Sequence, residues 1–172
     1  MSDIKTVLDE TPFQTAGPFL HIGCLPNAIN IEGIFDTDLG VKPFANKDYD
    51  KFITITGSVF DGDGKALDDI MLESWQSDEN GVYSPECGFA RFVPDSLTKK
   101  FNLYTLKPGF TNDIDGKAQS PHILLSISSR GLNMTLNTRI YFEGDDLTND
   151  PLLSNVKNSR NDVSSLIAKK ID

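Results

Sequence analysis

From residue 120 the chain reads SPHILLSISSRGLNMTLNTRIYFEGD, with apolar and polar positions alternating at a period of two. That is the period at which a β-strand returns to the same face. Ile123, Leu125 and Ile127 form one apolar row, and His122 and Leu124 share the opposite face. Arg130-Gly131-Leu132-Asn133 supplies a turn, after which Met134, Leu136, Ile140 and Phe142 oppose Asn133, Thr135, Asn137, Arg139 and Tyr141. The segment reads as a β-hairpin.

The same alternation starts at Lys51, where Ile53, Ile55 and Val59 alternate with Thr54, Thr56 and Ser58 until Asp61-Gly62-Asp63-Gly64 closes the strand in a turn. Further β-like runs cover 70–76, 101–106, 121–129 and 134–142, with turn chemistry between them. Short strands at this spacing predict an all-β fold, a β-sandwich. One short C-terminal helix is expected, capped by Asn161 or Asp162 and running through Leu166, Ile167 and Ala168, with Lys169 and Lys170 near its end. Residues 11–50 carry Pro12, Pro18, Pro26 and Pro43 with weak periodicity. They predict an extended N-terminal arm, residues 1–50, laid over a sandwich formed by residues 51–172.

At 172 residues the chain can bury one proper core and gives no reason to expect two. A net charge of -9 and a pI near 4.6 oppose binding to a phosphate backbone, so a nucleic-acid partner is rejected. The start, MSDIKTVLDE, lacks the apolar run of a signal peptide. No later segment approaches the roughly 20 apolar residues that span a bilayer. A soluble, cytoplasmic protein without membrane contact is expected. Cys24 and Cys87 belong to no CxxC pair and read as free thiols.

Candidate chemistry is sparse. Asp61, Asp63 and Lys65 imitate the start of a calcium loop, but Lys65 stands at the fifth ligand position, Ala66 replaces the glycine at the sixth, and Leu72 stands at the twelfth. A hairpin turn is the better reading. The two histidines, His21 and His122, lie far apart and read as structural. Tyr49, Tyr83, Tyr104 and Tyr141 could in principle supply phenolate ligands, yet packing accounts for most tyrosines in a β-protein. There is no GxSxG element and no phosphate-cradling glycine loop, and Glu73 with Asp78 lacks a partner for acid-base work. The chain alone proposes no catalytic residue and no metal site.

Four blocks change that picture: TPFQTAGPFLHIG at 11–23, GSVFDGDGKALDDIMLESWQSDENGVY at 57–83, LKPGF at 106–110, and PHILLSISSRGLN with TRIYFEGD at 121–145. In this order they resemble the intradiol ring-cleavage dioxygenases along nearly the whole chain. The resemblance implies a β-sandwich and, in catalytic chains, ferric iron held by two tyrosinates and two histidines, the histidines forming an H-x-H pair on one strand face. His122 matches the first histidine, but Leu124 stands at the second. Phe110 and Thr111 occupy the region of one ligand tyrosine, and the other has no counterpart between Tyr83 and Tyr104.

The resemblance therefore implies a non-catalytic, alpha-type subunit without iron of its own. Its partner would be an iron-bearing beta subunit that inserts both atoms of O2 into protocatechuate, giving 3-carboxy-cis,cis-muconate in a hetero-oligomer. By the same resemblance Thr15, Gly17 and Pro18, with Phe19 adjacent, line the substrate pocket of the mixed site, and Arg130 corresponds to an arginine near it. Eight residues of strand separate Arg130 from His122, roughly 26 Å, so the two cannot easily serve one pocket. A cation at a pocket mouth attracts an anionic, carboxylated catechol. Family members continue into further sheet where this sequence stops, so a C-terminally shortened chain is expected. The rival reading is a stand-alone binding or interaction module that kept the fold and lost the chemistry. A self-sufficient metalloenzyme with unconventional ligands around His122 is a third.

Overall fold

The computed structural model describes residues 17, 19–45, 49–85, 88–160 and 162–171. Thr15, Pro18, Cys87 and Asn161 lie outside them, as does the side chain of Tyr49.

Strands β1 (Phe52–Gly57), β2 (Ile70–Trp75), β3 (Phe89–Phe92) and β4 (Phe101–Leu106) come first. They are followed by β5 (Thr111–Asn112), β6 (Ala118–Gln119), β7 (Ile123–Ser129), β8 (Leu136–Phe142) and β9 (Ile167–Ala168). A five-stranded sheet runs β3-β2-β7-β8-β9, β1 pairs with β4, and β5 with β6. β7 and β8 form the expected antiparallel hairpin, with Ile123 opposite Ile140 and Ile127 opposite Leu136.

Alternation decides the core. Ile70 and Leu72 of β2 and Ile123 and Leu125 of β7 face Ile55, Phe101 and Leu103 from the β1-β4 pair. Each is almost wholly buried, a contribution of about 1.5–3 kcal/mol per side chain as an upper bound. Gln76, buried just after β2, ties the layers together: its Nε2 donates to the Leu106 carbonyl at 2.8 Å and its Oε1 accepts from Thr105 Oγ1 at 2.8 Å. Such a bond between satisfied buried groups fixes one registration of the layers, because sliding them would leave polar atoms unpaired.

The turns repeat one device. In DGDGK, DENGV and DIDGK the first aspartate accepts through Oδ1 from the amides two and four residues on: Asp63 and Lys65, Asn80 and Val82, Asp115 and Lys117. The glycine of each, Gly64, Gly81 and Gly116, adopts a positive φ near 80°. Only glycine takes that conformation without strain. At Gly81 the constraint is doubled, since a Cβ there would stand 1.8 Å from the Phe110 carbonyl oxygen. The Asp61 carboxylate is thus engaged with backbone amides, as a hairpin turn requires.

The N-terminal segment is less extended than its prolines suggest. It holds a short helix, α1 (Leu20–Cys24), and a 3-10 turn at Asn27–Ile29 whose first amides are capped by the buried Asp38 carboxylate. Leu25 and Phe44 are buried, so the segment is packed rather than merely draped.

The C-terminal helix lies earlier than the sequence reading put it. α2 spans Pro151–Arg160, and the stretch read as helical is a 3-10 turn, Ser164–Leu166, leading into β9. The N-cap residue of that turn is Val163 rather than Asn161 or Asp162, although the Asp162 carboxylate accepts from the Ser164 amide at 2.8 Å. Ile167 and Ala168 then pair in parallel with Tyr141 and Phe142, a long-range choice that no local pattern announces. No helix among the described residues is long and apolar enough to cross a membrane.

Candidate functional site

The two ends of β7 carry different chemistry. At its start, His122 and Tyr141 are buried side by side with rings 5.9 Å apart. His122 Nδ1 lies 2.8 Å from the Ser120 carbonyl, so it is the donor nitrogen. On the same face, strand register lines up Trp75, Leu124 and Arg139 in one row across β2, β7 and β8. Arg139 Nη1 donates to Gln119 Oε1 at 3.0 Å and to the Tyr141 hydroxyl at 3.3 Å. Tyr83 stacks on Trp75 with centroids 6.2 Å apart.

Beneath this row, Asp150 is 1% exposed and fully engaged. Its Oδ1 accepts from the Leu152 and Leu153 amides, each at 3.0 Å, and from the Tyr141 hydroxyl at 3.2 Å. Its Oδ2 accepts from the Ser120 amide at 3.0 Å. One carboxylate therefore caps α2 and anchors both the His122 loop and β8.

Burial pushes the Tyr141 hydroxyl up to about 12 against the pull of Arg139, and burial also raises Tyr83. Burial lowers His122 below the ordinary imidazole value. The donor set decides whether the ferric iron implied by the resemblance fits here. A ferric centre wants anionic oxygen and neutral imidazole donors. This end of β7 offers one imidazole, two tyrosines, a leucine where a second imidazole would stand, and a guanidinium whose positive charge repels a cation. The residues do not fit the metal. Among the described residues no three His, Cys, Asp or Glu side chains cluster in a metal-binding arrangement.

The depressed His122 value has a testable sign. The unfolded chain takes up a proton near 6.5, the folded chain only at lower pH, so folding loses stability as pH falls through that interval. His122→Gln is expected to flatten the loss below about pH 6.5. Urea midpoints measured from pH 7.5 to 5 check this; identical pH slopes for both proteins would refute it.

At the far end of β7 stands Arg130, in the turn after the strand with its side chain 66% exposed. Its Nε lies 2.6 Å from Asp69 Oδ2. The other carboxylate oxygen, Asp69 Oδ1, lies 3.6 Å from His21 Nδ1 on α1. Arg130 also borders a hollow of about 520 Å3 whose apolar lining includes Val59, Leu67, Ile127 and Leu132. Of the residues expected to line a substrate pocket, Arg130 and exposed Gly17 are described. The Gly17 carbonyl accepts from the Leu20 amide at 3.2 Å, which joins Gly17 to the helix that His21 occupies. Thus the proline-rich segment and the Arg130 turn, read separately in the sequence, meet through Asp69.

Sequence reading passed over Asp69, Arg139 and Asp150. The signals were present: Asp69 directly precedes β2 as Arg130 directly follows β7, Arg139 falls on the His122 face by alternation, and Asp-Pro at 150–151 is a helix start.

Comparison with known proteins places this geometry in context. A family model described as "Dioxygenase" matches residues 32–170. The chain is similar to the protocatechuate 3,4-dioxygenase alpha chain of Pseudomonas putida, 35% identical over 96% of this chain and 86% of that one. It is similar to the alpha chain of the same name from Burkholderia cepacia, 31% identical over 96% and 86%. Among solved structures it is similar to catechol 1,2-dioxygenase from Pseudomonas arvilla C-1, with a TM-score of 0.58 and 21% identity. That match covers 74% of this chain and 45% of the other, a likeness of fold.

Proposed function

Because the chain belongs to the intradiol ring-cleavage dioxygenase family, we propose that it is the non-catalytic alpha subunit of a protocatechuate 3,4-dioxygenase. In this reading an iron-bearing beta subunit inserts both atoms of O2 into protocatechuate, yielding 3-carboxy-cis,cis-muconate. The alpha chain completes the substrate pocket with Thr15, Gly17, Pro18 and Arg130. Similarity to chains named alpha in two organisms supports it. The observation that carries it is the row at the start of β7, where Leu124 and Arg139 stand beside His122. The fold is kept, the donor set is not, and so the chemistry must come from another polypeptide.

The division of labour follows from charge and position. Arg130 is exposed at the end of the sandwich, so its guanidinium can reach a ligand held by a second chain. Protocatechuate carries a carboxylate, and a guanidinium receives one through two parallel N–H donors. The packed N-terminal segment, linked to the same spot through His21, supplies the pocket wall.

The test is affinity capture of this chain from its native host, with copurifying polypeptides sequenced and iron measured in the same sample. An iron-loaded partner carrying H-x-H and two ligand tyrosines, whose ring-cleaving activity depends on this chain, is the expected result. Recovery of this chain alone and free of iron would overturn the subunit reading in favour of a stand-alone module that binds without catalysing.

A further inference from the structure

We infer that Asp69 is a positioning residue, holding Arg130 and the N-terminal segment in one arrangement so that the outer edge of the guanidinium meets a substrate carboxylate. The inference rests on the subunit reading for its substrate, and on geometry alone for the clasp itself.

The geometry begins with strand register. The antiparallel ladder of β2 and β7 ends with Ile70 opposite Ser129, so Asp69 and Arg130 flank its end, one just before β2 and one in the turn just after β7. Neighbouring charges of opposite sign attract there. Arg130 Nε lies 2.6 Å from Asp69 Oδ2. A guanidinium engaged through Nε can still offer its Nη pair, the fork that matches a carboxylate, and the side chain is 66% exposed. A lysine at 130 could not divide its contacts in this way.

An exposed ion pair by itself contributes little. Asp69 differs because its second oxygen faces His21 on α1, an element remote in sequence, and because α1 packs against β2. Asp69 and His21 are the less exposed members of the cluster, with side chains 28% and 17% accessible against 66% for Arg130. The carboxylate is thus the more shielded hub and the arginine its more exposed spoke. Remove the hub and two things change together: Arg130 regains rotameric freedom, and the N-terminal segment loses a tie to the sheet.

Charge and position predict opposite signs, which makes the idea decidable. Deleting Asp69 removes a negative charge beside the site, so charge alone would draw an anion in more strongly and lower KM. Loss of positioning raises KM instead.

The experiment uses the assembled enzyme with Asp69→Ala, Arg130→Ala and the double variant, with Asp69→Asn as a gentler replacement should alanine impair assembly. For protocatechuate, Asp69→Ala is expected to raise KM about fivefold with kcat within about twofold, the loss of a charge-assisted contact acting through a neighbour. Catechol, which lacks the carboxylate, should show no such rise. The double variant should match Arg130→Ala within about twofold, because Asp69 acts through Arg130. A lowered KM, or fully multiplicative losses, overturns the proposal. Hydrogen exchange at the Gly23 and Leu25 amides of the N-terminal segment reads the clasp without reference to substrate, and should quicken about tenfold in Asp69→Ala. If Arg130→Ala leaves KM unchanged, the pocket reading fails, and exchange still decides the clasp: unaltered rates refute it.

Discussion

Replacing Asp150 by alanine is expected to destabilise the fold by about 3–5 kcal/mol, the cost of removing one side of a buried, charged hydrogen-bonded group. Four donors converge on this carboxylate: the Leu152 and Leu153 amides, the Tyr141 hydroxyl and the Ser120 amide. Two are unsatisfied first-turn amides of α2, worth about 1 kcal/mol as a cap. The other two lie on the His122 loop and β8, and at 1% exposure no bulk water reaches in to replace the oxygens. In a domain of this size the midpoint should fall by roughly 8–15 °C. Asp150→Asn keeps the shape and one acceptor oxygen, and should lose about half as much. Urea denaturation of both variants checks the claim; a loss under about 1 kcal/mol for alanine would show that the loop, β8 and α2 are held by other contacts.

Asp150 also marks where sequence reading ran out. The strands that periodicity announced, at 52–57, 70–75, 101–106, 123–129 and 136–142, form within a residue or two of their expected limits. β1 and β4 show the alternation most clearly, with buried and exposed positions taking turns; β2 is buried on both faces and is read instead from its apolar run. β3 escaped because it is four residues long and takes its place from the Glu73–Arg91 contact and pairing with β2, which are not local facts. α2 escaped because Leu153 is the one deeply buried side chain among those described in it, which leaves no apolar stripe there. Its signature is the Asp150-Pro151 start, a cap rather than a pattern. Ile167 and Ala168 read equally well as helix or strand, and only their docking beside Tyr141 and Phe142 decides.

The candidate site was legible in part for the same reason. That Leu124 stands where a second ligand would be is what the resemblance to an H-x-H pair implies; period-two geometry adds that it shares the face of His122. That Arg139 brings a positive charge to the same row requires the register of β7 against β8. That Arg130 and the N-terminal segment meet requires the register of β2 against β7 and the packing of α1, which place Asp69 between them. Alternation says which face a residue takes; it does not say which residue of another strand shares it.

Replacing Arg130 by alanine in the assembled enzyme is expected to lower kcat/KM for protocatechuate about thirtyfold, equivalent to roughly 2 kcal/mol for hydrogen bonds to a charged group. On the proposed subunit reading the effect should fall chiefly on KM, because the guanidinium would meet a carboxylate that is the same in ground and transition states. Catechol offers that fork nothing to bind, so its kinetics should change by less than about twofold, and the preference for the carboxylated substrate should collapse accordingly. Arg130→Lys keeps the charge without the planar pair of donors and should recover about a third of the lost efficiency or less. The side chain is 66% exposed, so stability should stay within about 0.5 kcal/mol and a folding defect will not imitate the kinetic one. Steady-state kinetics on both substrates, at low and high salt, provide the check. Equal losses on the two substrates would move Arg130 from carboxylate recognition to support of the subunit interface, and no loss on either would remove it from the pocket.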